Sequence, residues 1–167
     1  MNKNWVAVAV LGAALSGCAH FEQPVPANYS GPTVTIQDSV RVHSTRKADI
    51  FYVEGVNGKR ILDSRTETLS VNRGRGMYMT PVTLSRKLPA QPTTLTITGK
   101  STFAAPILEI TNPVYEVSGK VDFAPESGKS YVVRGELGKD YSAVWIEDVD
   151  SHAMVGQKIE TRSSSAK

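Results

Sequence analysis

The residue with the most definite chemistry in this 167-residue chain is its single cysteine, Cys18. One thiol cannot close an internal disulfide, so Cys18 is free, intermolecular or modified. A second candidate is Asn72-Arg73-Gly74-Arg75-Gly76, where Arg73 and Arg75 alternate with glycines. Guanidinium forks beside exposed backbone N–H groups suit phosphate or carboxylate, which makes these two arginines candidate anion-binding residues. Gly128-Lys129-Ser130 looks like the end of a phosphate-binding loop, but the pattern needs a glycine where Phe123 stands, so a hairpin turn is the better reading. Asp148, Asp150 and His152 alternate and could share one strand face as metal ligands; a solvated turn is the simpler expectation, and no metal or cofactor is expected. No Gly-x-Ser-x-Gly elbow is present, and besides His152 the histidines are His20 and His43, so no nucleophilic triad and no catalytic residue is assigned.

The elements around Cys18 say how it is used. Lys3 supplies a positive start, and Trp5 to Leu15 form an apolar run of eleven residues. A bilayer span needs about 20 such residues, whereas a signal-peptide core needs about 7–15. Leu15-Ser16-Gly17-Cys18 follows at once and looks like a complete lipobox. Small Ser16 and Gly17 admit the backbone to a peptidase, Leu15 fills an apolar pocket, and the Cys18 thiol takes a diacylglycerol. The amine freed by cleavage can take a further acyl chain, and two or more chains anchor stably where one does not. Residues 1–17 are therefore expected to be a lipoprotein signal peptide and Cys18 the lipidated first residue of the mature chain. Ala19 follows, not the aspartate that retains enteric-type lipoproteins in the inner membrane. By resemblance to that sorting rule the expected address is the outer membrane, at its periplasmic face or the cell surface.

Residues 18–32 carry prolines without apolar periodicity and are expected to form a flexible tether; residues 161–167 are expected to be a disordered polar tail. Between them, 33–160 reads as strand after strand. Val34, Ile36, Val40 and Val42 hold even positions with a break near Gln37-Asp38. Asn57-Gly58 lies between two apolar runs, the pattern of a two-residue type I′ hairpin. Met77 to Leu84 reads as a strand interrupted by Pro81. Tyr115, Val117, Gly119, Val121 and Phe123 alternate with polar residues, and Tyr131, Val133, Val144-Trp145-Ile146 and Met154 to Ile159 continue the series. No helical stripe is evident outside the signal peptide. The expected fold is all-β, an antiparallel β-sandwich of seven to nine strands, with the Arg73–Arg75 loop at a hairpin tip.

The hairpin Phe51-Tyr52-Val53…Asn57-Gly58-Lys59, the approach Leu88-Pro89-Ala90…Leu95-Thr96-Ile97, the segment Pro125-Glu126-Ser127-Gly128-Lys129-Ser130-Tyr131 and Trp145-Ile146-Glu147-Asp148 follow in an order that resembles small bacterial outer-membrane lipoproteins with PEGA-like or transthyretin-like sandwich domains. The resemblance implies an immunoglobulin/transthyretin-like sandwich and an envelope setting, and carries no catalytic motif. Composition agrees with a folded domain: 40% hydrophobic and 21% charged residues leave no case for wholesale disorder. Without Lys3 the chain holds 18 basic and 16 acidic residues, too even a balance for a nucleic-acid stripe. The expectation is a non-enzymatic envelope lipoprotein acting as an interaction or accessory module, partnered by the membrane through its lipid and by an envelope protein. Two rivals are a module binding lipopolysaccharide or acidic glycan through Arg73 and Arg75, and a hydrolase of envelope polymers. A carboxylate pair in a deep cleft would favour the hydrolase.

Overall fold

The computed structural model describes residues 21–162; the expected signal peptide, Cys18 and residues 163–167 lie outside them. Ten strands and two short helices occur among the described residues. β1 (Thr33–Gln37), β5 (Ser85–Pro89), β8 (Ser130–Glu136), β9 (Tyr141–Asp148) and β10 (Met154–Arg162) form one sheet in the order β10-β9-β8-β1-β5. The other runs β2 (Ser39–Ser44), β3 (Lys47–Val56), β6 (Thr93–Phe103) and β7 (Glu116–Phe123), with β4 (Lys59–Arg60) also on β3. All pairings are antiparallel except β1 with β8. The molecule is a β-sandwich.

Alternation builds its interior. Val34 and Ile36, Phe51 and Val53, Leu95 and Ile97, Val117, Val121 and Phe123, Tyr131 and Val133, and Val144 and Ile146 fill one core between the sheets. The Phe51 ring spans the two layers: it lies against Gly99 on the neighbouring strand and Gly135 in the facing sheet, where a Cβ would collide with it. Phe123 and Tyr131 meet edge to face at 4.9 Å, and the Tyr131 hydroxyl accepts from the Glu126 N–H at 2.8 Å, fastening the turn between β7 and β8.

The break at Gln37-Asp38 is where the chain changes sheets. Asp38 is buried, and its carboxylate accepts from the Val53 N–H (3.0 Å), the Ser64 N–H (3.2 Å) and hydroxyl (2.7 Å), and both terminal nitrogens of Arg86 (2.8 and 2.6 Å). β2 pairs β3 as far as Phe51 and β4 takes over from Gly55, so Asp38 serves the Val53 N–H in the gap between them. The even-position pattern of the first run stops at this crossover: Val34 and Ile36 are in the core, whereas Val42, on an edge strand of the other sheet, is 61% exposed.

Three expectations are corrected. α1 (Ser64–Val71) and α2 (Pro106–Thr111) are helical although neither shows an apolar stripe. Asp63 caps α1, accepting from the Thr66 N–H and hydroxyl, both at 2.8 Å, and Glu67 complements the first turn. Met77 to Leu84 is not a strand, because the N–H groups of Thr80, Val82 and Leu84 bond to side chains of α1 and its C-cap instead of a neighbouring strand. Ser64 Oγ accepts from Leu84 N–H (2.8 Å), Thr68 Oγ1 from Val82 N–H (2.9 Å) and Asn72 Oδ1 from Thr80 N–H (2.9 Å). Four helical residues rise about 6 Å and two extended residues about 6.6 Å, so the two spacings match and the helix stands in for a strand. Finally, the Arg73–Arg75 loop follows α1 and is not a hairpin tip.

The ends of the domain also differ from expectation. β10 continues through Thr161 and Arg162, which pair with Ser142 and Tyr141. Of the stretch expected as a free tether, residues 21–25 lie against the domain: Glu22 N–H donates to Arg60 O (2.9 Å) and the Phe21 ring sits 5.8 Å from the Arg60 guanidinium, while Pro32 O accepts from Ala90 N–H (2.8 Å) at the start of the sandwich.

Candidate functional site

The sandwich has two poles. Asn57-Gly58, the β5–β6 and β7–β8 turns and the turn after β9 lie at one; the β2–β3 turn, α2 and the β8–β9 turn lie at the other. At the second pole, α1, the loop that follows it and α2 enclose a cleft of ≈ 550 Å³. Met79 and Phe103 are buried at its base, Leu69 and Pro106 line its sides, and Arg73 stands exposed at its rim. Arg65 reaches Glu109 across it at 3.6 Å, and the buried Arg65 Nε has no hydrogen-bond partner.

α2 gives this cleft its character. Pro106 starts the helix, where a missing N–H costs nothing, but Ala105 offers no side-chain cap. None of its residues is buried; Ile107 is 55% and Ile110 79% exposed. Leu69 (37% exposed) lines the cleft with Arg65 and Arg73, and α2 contributes Pro106 and Glu109 to it, while Ile107 and Ile110 lie outside its lining.

Of the two candidate anion-binding residues, the structure brings Arg73 to the cleft but not Arg75. Gly74 (φ 81°) and Gly76 (φ 68°) allow the loop to turn back in the left-handed region, and Arg75 N–H donates to Asn72 O at 3.0 Å. Neither arginine makes an ion pair among the described residues. Among the described residues, Glu109 is the one carboxylate lining this cleft, and Glu22 the one lining a second groove beside residues 21–25. A two-carboxylate hydrolysis has no pair to use in either.

The remaining constellations are occupied by structure. Lys129 of Gly128-Lys129-Ser130 pairs with Glu126 (3.0 Å) and Asp148 (3.5 Å), and Gly128, at φ 81°, turns the chain into β8. Asp148 accepts from the Ser151 N–H (2.8 Å), the Ser151 hydroxyl (2.9 Å) and the Asp150 N–H (3.1 Å), which pin the turn after β9. Hydrogen bonds from the Ser151 backbone and hydroxyl hold its carboxyl below the usual aspartate value. His152 turns to Glu147 (3.0 Å) instead of towards Asp148, and its hydrogen bond lowers the Glu147 carboxyl. Among the described residues no group of three His, Cys, Asp or Glu side chains is placed to hold a metal ion.

One contact was not foreseen from sequence. β2, β3 and β6 bring His43, Asp49 and Ser101 together: His43 Nε2 lies 2.6 Å from Asp49 Oδ2, and Ser101 Oγ donates to Asp49 Oδ1 at 2.9 Å. The residue types are those of a hydrolytic triad, but the aspartate is in the middle. The serine therefore has no imidazole to take its proton, and it is fully buried. The cluster ties an edge strand to its sheet.

No family model, curated protein or solved structure matches this chain. Among the described residues no helix is long and apolar enough to cross a membrane.

Proposed function

We propose that this protein is a non-enzymatic lipoprotein of the cell envelope, cut before Cys18 and lipidated there, whose sandwich serves as an interaction module at the outer membrane. The observation that carries the interaction reading is the exposed Ile107 and Ile110 of α2, the helix whose Pro106 and Glu109 line the Arg65–Arg73 cleft. Fully burying an exposed isoleucine gains about 1.5–3 kcal/mol, of which Ile110, at 79% exposure, has most still to gain and Ile107, at 55%, about half. The anchor reading rests on Leu15-Ser16-Gly17-Cys18 behind an eleven-residue apolar run, and the likeness to PEGA-like or transthyretin-like lipoproteins on strands and turns.

A photo-crosslinking residue at position 110, introduced into full-length protein in intact cells, tests the module. A discrete protein adduct that disappears in Ile107→Asp, with unchanged melting temperature, is the expected result. A second reading, binding of lipopolysaccharide phosphates or acidic glycan, is favoured by the unpaired Arg73 at the same rim. Arg73→Glu with Arg75→Glu would then abolish salt-sensitive binding to those polymers and leave the position-110 adduct intact. If the adduct survives Ile107→Asp and the anion binding is lost, the second reading replaces the first. In the anchor arm, Cys18→Ala is expected to leave an unacylated precursor by intact mass; a wild-type mature chain without acyl chains overturns the anchor.

A further inference from the structure

From the path of residues 21–25 we infer that the domain is held against the bilayer in a fixed orientation, with the Lys59–Arg60 edge on the lipid headgroups and the α2 cleft facing away. The inference deepens the anchor reading and rests on lipidation at Cys18.

The first observation is where the free chain ends. If all of residues 18–32 hung loose, fifteen steps would let Thr33 stand up to about 50 Å from Cys18. The docked segment shortens this sharply. Glu22 N–H is bonded to Arg60 O (2.9 Å), Lys59 Nζ lies 3.8 Å from Glu22, and the Phe21 ring lies under the Arg60 guanidinium. Phe21, Pro24 and Val25 form one wall of a groove of ≈ 540 Å³ whose other wall includes Ile61, Leu62 and Leu84. Only three steps separate Phe21 from Cys18, at most about 11 Å. A glyceride on Cys18 has its acyl chains in the bilayer, so Phe21 must lie within that reach of the headgroups, with the Arg60 guanidinium 5.8 Å from its ring.

The second observation is the direction of the strands. Arg60 pairs with Gly55 near one end of β3, while α2 follows Phe103, which pairs with Lys47 at the other. Nine steps of strand separate Lys47 from Val56, about 30 Å. That length exceeds the reach left to the anchor by about 20 Å, so the two poles are distinguishable with respect to the membrane. The near side carries Lys59, Arg60 and Lys87; Arg60 and Lys87 make no ion pair among the described residues and are free for phosphodiesters. Asp122, Glu126 and Asp150 lie at the same pole, so reach and not charge sets the orientation, which is expected on zwitterionic lipid too.

The test uses the full-length lipidated protein in phosphatidylcholine vesicles doped with a nickel-chelating lipid. Lipidation consumes the only native thiol, so Lys59→Cys and Ile110→Cys can each carry a single fluorophore. Quenching by the headgroup nickel is expected to be several-fold stronger at position 59 than at 110. Phe21→Gly with Glu22→Pro removes the ring and the N–H donor that hold the segment, and should bring the ratio towards one. Equal quenching at the two positions in otherwise unaltered protein, stronger quenching at 110, or a ratio that ignores the double substitution overturns the orientation. Protein that is acylated and floats with the vesicles yet shows equal quenching sinks the orientation alone. Protein whose intact mass shows no acyl chain, and which does not float, sinks both the orientation and the anchor.

Discussion

Removing the Asp38 carboxylate should be among the most damaging single changes in the domain. Asp38 is 1% exposed and takes two charge-assisted bonds from Arg86, whose side chain is itself only 8% exposed. In Asp38→Ala the guanidinium is left buried without its counter-charge, and the Val53 and Ser64 N–H groups and the Ser64 hydroxyl lose their acceptor. Breaking one side of a buried pair costs about 3–5 kcal/mol, whereas the intact pair adds little over an apolar substitute because desolvation offsets its attraction. For a domain of this size that corresponds to a melting temperature lower by roughly 10–15 °C. The assay is a double-mutant cycle by urea denaturation with Asp38→Ala, Arg86→Met and their combination. The combined variant should be more stable than the sum of the single losses predicts, with a coupling of about 2 kcal/mol or more. Additive losses, with coupling under about 0.5 kcal/mol, would refute the reasoning that Asp38 and Arg86 act as one buried pair.

Thr68→Val keeps the shape of a buried side chain but leaves the Val82 N–H without its acceptor, so a loss of about 1–3 kcal/mol in chemical denaturation is expected. Gly58→Val forces a β-branched residue to φ 79°, where a loss on the order of 1–2 kcal/mol is expected in the same measurement. The lowered Asp148 carboxyl contributes stability that is fully present above its ordinary value of 3.8 and is lost as pH falls through the lower folded-state value. Asp148→Asn should therefore flatten the acid limb of stability against pH below about pH 4, measured by thermal melts.

Much of the sandwich was legible in the residues themselves. Val117, Val121 and Phe123 alternate with Glu116, Ser118, Lys120 and Asp122, and the first set is buried while the second faces solvent, because a period of two is the geometry of a strand. Asn57 (φ 50°) and Gly58 (φ 79°) both take the positive torsions that an Asn-Gly hairpin demands. α1 was hidden because the inward residues of the helix and its C-cap are Ser64, Thr68 and Asn72, polar side chains whose burial is stabilised by the backbone of Thr80 to Leu84 and, for Ser64, by Asp38. The cap formed by Asp63 with Thr66 was the one local signal that could have revealed it.

The candidate site was legible only in part, since Arg73 was singled out by its glycine neighbours while Arg65, Ile107 and Ile110 were not. Alternation and turn torsions are local, so composition and spacing alone indicated the all-β sandwich class and many of its core residues, whereas the lipobox reading at Cys18 falls outside the described residues. Which pole carries the cleft, and where residues 21–25 lie, depends on surfaces brought together from distant parts of the chain. The same holds for Asp49 binding both His43 and Ser101, and for Asp38 receiving Arg86 from 48 residues away. Those partners satisfy one another's charge and hydrogen bonds only once both sheets have formed, and so tertiary structure alone decided them.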